Sequence, residues 1–154
     1  KLAKKNGVRV VVDPKVNHFN LYKGVTVITP NNLEASNASG VEIENETSLK
    51  RAGEILLNRL GCDALLITRG EHGMSLFENS GHITHIPTVA KEVYDVRGAG
   101  DTVVGALWLA MAAGASIKEA AVIANYAAGI VVGIVGTAAV TKKELERVLK
   151  GDSA

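Results

Sequence analysis

Apolar residues along this chain come in short blocks, and most blocks match either a strand or one face of a helix. Val8–Asp13 reads VRVVVD, a short β-branched run that predicts a buried strand, ended by Pro14. Val25–Thr29 (VTVIT) predicts a second strand, ended by Pro30. NLEASNAS after it reads as a short helix stopped by Gly40. From Thr47, TSLKRAGEILLNRLG sets Leu49, Ala52, Ile55, Leu56 and Leu60 on one helical face, with Gly61 as the C-cap. Ala64–Thr68 (ALLIT) is a further buried strand, and GMSLFE and GHITHIP read as a hairpin or edge pair. A glycine turn then leads into a helix reaching about Ala113. Ser116 caps another helix, through IKEAAVIANYAAGIVVGIV, and Gly136-Thr137 beyond it reads as a loop. Thr141 caps TKKELERVLK, with Glu144 completing a capping box. Strands alternating with helices predict an α/β fold with a largely parallel sheet, as a single domain over residues 1–154 without internal repeats.

The uncharged run Ala120–Val140 tests that reading, because it is long enough to span a bilayer and holds the small pair Gly129 and Gly133. Alanine and glycine dominate it, and Asn125 and Tyr126 interrupt it, so it reads as a helix buried against a sheet. Composition agrees with a globular chain: 154 residues, 47% hydrophobic and 21% charged. A formal net charge of +1 gives no electrostatic case for nucleic acid or an anionic membrane. Cys62 is the single cysteine, which excludes an internal disulfide and fits a reducing, cytoplasmic setting. The opening KLAKKNGVRVVVDPK has a basic start but too short an apolar run for a signal peptide.

In open α/β sheets, ligands bind beyond the carboxyl ends of strands. Polar and glycine residues collect there: Asp13–Lys15, Thr29–Glu34, Arg69–Gly73 and the stretch DVRGAGD, Asp95–Asp101. In the last of these, Gly98 and Gly100 allow a sharp turn and a close ligand approach. Unsatisfied N–H groups at the helix start, together with the helix dipole, form an anion site suited to phosphate. A carboxylate at Asp101 would stand where a transferring phosphoryl group meets an attacking hydroxyl, and could take its proton. Read alone, the motif favours Asp101 as an N-cap, with the glycines making a loop. The chain has neither GxxxxGK[ST] nor GxGxxG. His82 and His85 fall on opposite faces of a strand and make a poor metal pair; His18 and His72 have no ligand-spaced neighbours. Cys62 reads as a buried structural thiol and Trp108 as a core residue.

Three motifs in order carry a resemblance. Asp95-Val96-Arg97-Gly98-Ala99-Gly100-Asp101 is similar to the D-T-x-G-A-G-D signature of the ribokinase (PfkB-type) carbohydrate kinases. Asn31-Asn32-Leu33-Glu34 resembles the family's N-x-x-E motif, and Thr68-Arg69-Gly70 its T-x-G nucleotide loop. The likeness covers about Val8 to Lys150, the family's C-terminal half. VVDPK, YKGVTVITPNNLEA, GMSLF, YDVRGAGDTVVGAL and ANYAAGIVVGIVGT look most like its heptose 7-phosphate kinase branch. Val96 is at home in that branch. Arg97 is less expected, and either contacts phosphate or faces solvent.

The resemblance implies a ribokinase-like three-layer α/β/α fold and ATP-dependent phosphoryl transfer to a sugar phosphate with Mg²⁺. It implies Asp101 as general base, with Gly98, Ala99 and Gly100 donating backbone N–H groups to the transferring phosphoryl group. It implies a nucleotide site from Asn31, Asn32, Glu34, Thr68, Gly70 and Asn125, with Asn31 and Glu34 organising Mg²⁺ through water. Structural readings stand beside these. Glu34 is also a first-turn acid, Thr68 and Gly70 a strand-end turn, Asn125 a buried amide, and Lys15 a solvated lysine. The family's sugar-binding residues and lid precede this segment. The chain alone is therefore expected to turn over weakly or not at all, and to self-associate or bind the missing N-terminal half. Another sugar kinase of the family, or a non-catalytic nucleotide-binding α/β module, is the alternative.

Overall fold

The computed structural model describes residues 2–90, 93–136 and 138–151, so Thr137 lies outside the described residues. The chain divides into two compact units, one of residues 2–70 with 74–85, the other of residues 71–73 with 86–151.

The first unit starts with a short helix, α1 (Leu2–Lys5), and carries β1 (Val11–Val12), β2 (Val27–Ile28), α2 (Asn32–Ser39), α3 (Glu46–Leu60), β3 (Ala64–Thr68) and β4 (Met74–Glu78). β5 (Ile83–Ile86) completes a five-stranded sheet in the order β1-β2-β3-β4-β5. β1, β2 and β3 run parallel, and β4 returns antiparallel to β3 with Leu65 opposite Phe77. β3 matches its expected span because four consecutive apolar side chains are buried on both faces. β1 and β2 are shorter than their β-branched runs. Those runs stay extended, with Thr29 N–H donating to Val12 O, but the paired register holds only Val11 with Val27 and Val12 with Ile28.

α2 stops at Gly40, which takes the left-handed conformation (φ 74°). α3 starts one residue before Thr47, because Asn45 caps it and exchanges hydrogen bonds with Ser48. Its buried face is Leu49, Ala52, Gly53, Leu56 and Leu60, and Ile55 lies only at the edge of it. That face meets Ile28, Leu65, Ile67 and Phe77 in one core. Cys62 belongs to this core, and burial pushes its thiol up to about 11.

Gly53 is in the middle of α3, where glycine costs about 1 kcal/mol relative to alanine. A Cβ there would lie 2.5 Å from the buried ring of Phe77. Gly53→Ala is therefore expected to destabilise by about 1–3 kcal/mol through overpacking. Urea unfolding checks this, and a stabilised variant would mean that the ring yields freely.

The second unit holds α4 (Ala99–Ala112), α5 (Ile117–Val132) and α6 (Lys142–Leu149). Val103, Leu107 and Met111 are the buried stripe of α4, spaced four apart. α5 buries Ala120, Ala121, Ala124, Ala127, Ala128 and Val131, small side chains that let it pack closely on α4. Trp108 departs from the expected core position: it is 44% exposed. It follows Leu107 directly, a rotation of about 100° off the buried stripe. α5 ends at Val132 rather than running on, because Gly133 donates back to Ile130 O and tightens the last turn. Among the described residues no helix is long and apolar enough to cross a membrane.

Candidate functional site

In the first unit the N-x-x-E and T-x-G segments are brought together. Asn31, beyond β2, forms an isolated parallel bridge with Thr68, the last residue of β3, and Thr68 N–H donates to Pro30 O at 3.0 Å. Asn31 is the N-cap of α2. Its Oδ1 accepts from the Glu34 N–H at 2.9 Å, and Glu34 Oε2 accepts from the Asn31 N–H at 2.8 Å. This reciprocal box orients Glu34 and leaves Oε1 without a partner among the described residues. Asn32 Oδ1 is buried and also lacks a hydrogen-bond partner there. Gly70 has φ +58°, with open space where a side chain would be. Lys15 is exposed in a loose pair with Asp13 at 3.4 Å.

The donor set at Asn31 and Glu34 suits Mg²⁺ only in a hydrated form. One carboxylate oxygen is on offer, and no cluster of three or more His, Cys, Asp or Glu residues suited to a metal occurs among the described residues. A cation that keeps several waters and takes the rest of its ligands from phosphates matches such a site.

In the second unit the glycine turn opens α4. Gly98 is the N-cap, with φ 78° and no side-chain cap bond. Asp101 is therefore the third residue of the helix and not its cap; its carboxylate is exposed and has no partner among the described residues. The Ala99 N–H donates to Val96 O at 3.2 Å, whereas the Gly100 and Asp101 amides have no acceptor there. Two free amides and a free carboxylate thus share one helix turn. The dipole favours an anion at this end.

Arg97 faces solvent, one of its two expected roles, and it also pairs with Asp95. Its guanidinium grips Asp95 from Nε at 3.0 Å and Nη2 at 2.6 Å, although Arg97 itself is mostly exposed. Asp95 Oδ2 also accepts from Gly136 N–H at 3.2 Å, tying the turn to the segment after α5. The Arg97 hydrogen bonds, with smaller help from Gly136, hold the Asp95 carboxyl well below the usual carboxylate range. A lowered pKa contributes stability that is present above the unfolded-state value, about 3.9, and is lost as pH falls below it. Asp95→Asn is expected to lower Tm by a constant amount near neutrality, with the gap to the parent closing below about pH 4. Melting curves across that range check it; a gap unchanged at low pH would separate Asp95 from acid stability.

Asn125 is buried in α5, and its Nδ2 donates to Pro87 O at 2.8 Å. Ser75, His85 and Glu46 form a chain of contacts that no motif suggested. Ser75 Oγ lies 3.0 Å from His85 Nδ1, and His85 Nε2 lies 3.0 Å from Glu46 Oε1. Strand alternation offered one signal, since Ser75 is polar inside an otherwise apolar strand.

The pattern of the pfkB family carbohydrate kinases matches residues 1–144, and the chain belongs to that family. The bifunctional protein HldE of Geobacter metallireducens is 53% identical over 144 residues, which are 94% of this chain and 29% of that protein. The bifunctional protein HldE of Citrifermentans bemidjiense is 55% identical over 139 residues, 90% of this chain and 28% of that protein. The chain thus spans under a third of the length of these curated relatives. Among solved structures, the Arabidopsis thaliana ribokinase complexed with ribose and ATP aligns with a TM-score of 0.83 at 27% identity, covering 96% of this chain and 49% of that one. Phosphofructokinase-2 from Escherichia coli in complex with substrates and products aligns at 0.84 and 20% identity, over 97% of this chain and 49% of that one, a likeness of fold. The ribokinase-like α/β fold class expected from the motifs is the one found.

Proposed function

We propose that this chain supplies the ATP site and the catalytic base of a sugar kinase that phosphorylates a hydroxyl of a sugar phosphate. The observation that carries the reading is Asp101, an unpartnered carboxylate in the same helix turn as two free amides. In that reaction the sugar hydroxyl oxygen bonds to the γ-phosphorus, the bond to the β–γ bridging oxygen breaks, and ADP leaves. Asp101 takes the hydroxyl proton, and the Gly100 and Asp101 amides face charge on the phosphoryl oxygens. The role of Ala99 is to shape the turn, since its own amide is held by Val96.

Asn31 and Glu34 would hold Mg²⁺ through water; when bound, the cation neutralises charge across the phosphates. Asn32 Oδ1, Thr68 and the open turn at Gly70 offer a polar lining for the nucleotide. Asn125 would border the adenine while its Nδ2 stays on Pro87. Heptose 7-phosphate, phosphorylated at O1 to the 1,7-bisphosphate, is the acceptor we favour. The support is the quoted branch-like segments and the high identity to the bifunctional relatives.

Calorimetric titration with Mg²⁺ and a non-hydrolysable ATP analogue tests the nucleotide site. Glu34→Gln keeps the capping box, because glutamine serves at that position too, so the helix start survives. Its affinity for the Mg²⁺–nucleotide is expected to drop about tenfold or more through the lost carboxylate. Equal affinities in parent and variant would remove Glu34 from the cation's surroundings.

A further inference from the structure

Arg69 stands between Thr68, which bridges to Asn31, and the open turn at Gly70. Its guanidinium is half-buried and donates from Nη1 to Ser75 Oγ at 3.1 Å. No carboxylate partner for it occurs among the described residues, and its remaining N–H donors are unused by them. A half-buried cation with most of its fork unoccupied beside an open turn is set up to receive an anion.

Arginine can only donate, so Ser75 Oγ accepts from it. Ser75 is fully buried, and its Oγ also lies 3.0 Å from His85 Nδ1. His85 Nε2 in turn lies 3.0 Å from Glu46 Oε1. One N–H of the Arg69 fork is thus held by a buried hydroxyl, and the rest of the fork stays open.

We propose that Arg69 is a phosphate-contacting residue of the nucleotide turn, held by a relay of contacts through Ser75 and His85 to Glu46. The inference rests on the nucleotide-site reading above and adds a contact to it. Two sources of phosphate are available to such a kinase, the nucleoside triphosphate and the sugar phosphate; the position beside Thr68 and Gly70 assigns Arg69 to the triphosphate. Ser75, His85 and Glu46 are positioning residues.

The test is a nitrogen-15 NMR titration of the chain, following the Arg69 Nε–H and the His85 ring nitrogens. The probes are a non-hydrolysable ATP analogue with Mg²⁺, tripolyphosphate with Mg²⁺, adenosine, and fructose 6-phosphate. The two triphosphates are expected to move the Arg69 signal, and adenosine and the sugar phosphate to leave it. Arg69→Ala should weaken triphosphate binding about tenfold and leave adenosine unchanged. Arg69→Lys should recover part of that loss without the bidentate geometry. Ser75→Ala should weaken triphosphate binding by less and move the His85 ring nitrogen signals. Circular dichroism confirms that each variant is folded, and Arg69→Lys, on a half-buried side chain, keeps the test open if Ser75→Ala is not.

An Arg69 signal unmoved by triphosphate, or Arg69→Ala binding it like the parent, overturns the assignment. So does a signal moved by the sugar phosphate and not by the triphosphate. Each of those results leaves the sugar-kinase reading standing, which fails instead if Asp101→Asn transfers phosphate as fast as the parent.

Discussion

Asp101→Asn is expected to cut phosphoryl-transfer turnover by about 10²–10⁴-fold while nucleotide affinity stays unchanged. The substitution preserves size and polarity and removes the ability to accept a proton. Its effect on folding should be slight, because Asp101 is exposed, its carboxylate makes no bond to the described residues and it does not cap α4. Gly98 holds the cap position through its backbone alone. Turnover is to be measured in a polypeptide extended to the length of the curated relatives, and Tm and nucleotide affinity in parallel. Turnover lost together with Tm would make Asp101 structural. Turnover retained would place the base elsewhere and undo the proposed mechanism. The variant keeps the helix amides available to the phosphates, so a selective loss of turnover isolates the proton transfer from binding.

The glycine turn before α4 was legible because its signal is local. Glycines at 98 and 100 ahead of an apolar helix imply a turn with free amides, and the structure has that turn. The same holds for Ser116 and Thr141, whose caps form with Glu119 and Glu144, and for Gly40 and Gly61, which end α2 and α3 in the left-handed conformation. What stayed hidden depends on partners far along the chain or on choices between neighbours. Asn45 and Thr47 both suit a helix start, and asparagine won through its exchange with Ser48. The length of β1 and β2 was set by pairing register rather than by β-branched content. Arg97 found Asp95 two residues away, a pairing the motif did not suggest. The Arg69–Ser75–His85–Glu46 relay joins β4, β5 and the start of α3, so no window of sequence contains it.

Phe77→Ala is the substitution expected to damage stability most. The ring is 2% exposed and sits in the core formed by α3 and the sheet, with Leu49, Leu56 and Leu65. Removing a buried phenyl costs about 3–5 kcal/mol, lost transfer free energy plus the cavity left behind. Against a typical domain stability of about 5–15 kcal/mol, that is about a fifth of the total or more. Urea denaturation gives the number, and a loss under about 1 kcal/mol would mean the site collapses around the missing ring.

The stronger test is the pair with Gly53. In the parent chain a methyl at Gly53 meets the ring and should destabilise. With the ring gone the same methyl enters the vacated space, and alanine's better helix propensity, about 1 kcal/mol over glycine, remains. Gly53→Ala is therefore expected to change sign, destabilising alone and neutral or stabilising in the Phe77→Ala background. A double-mutant cycle reads that reversal directly. Two simply additive effects would show that the glycine is there for a reason other than the ring.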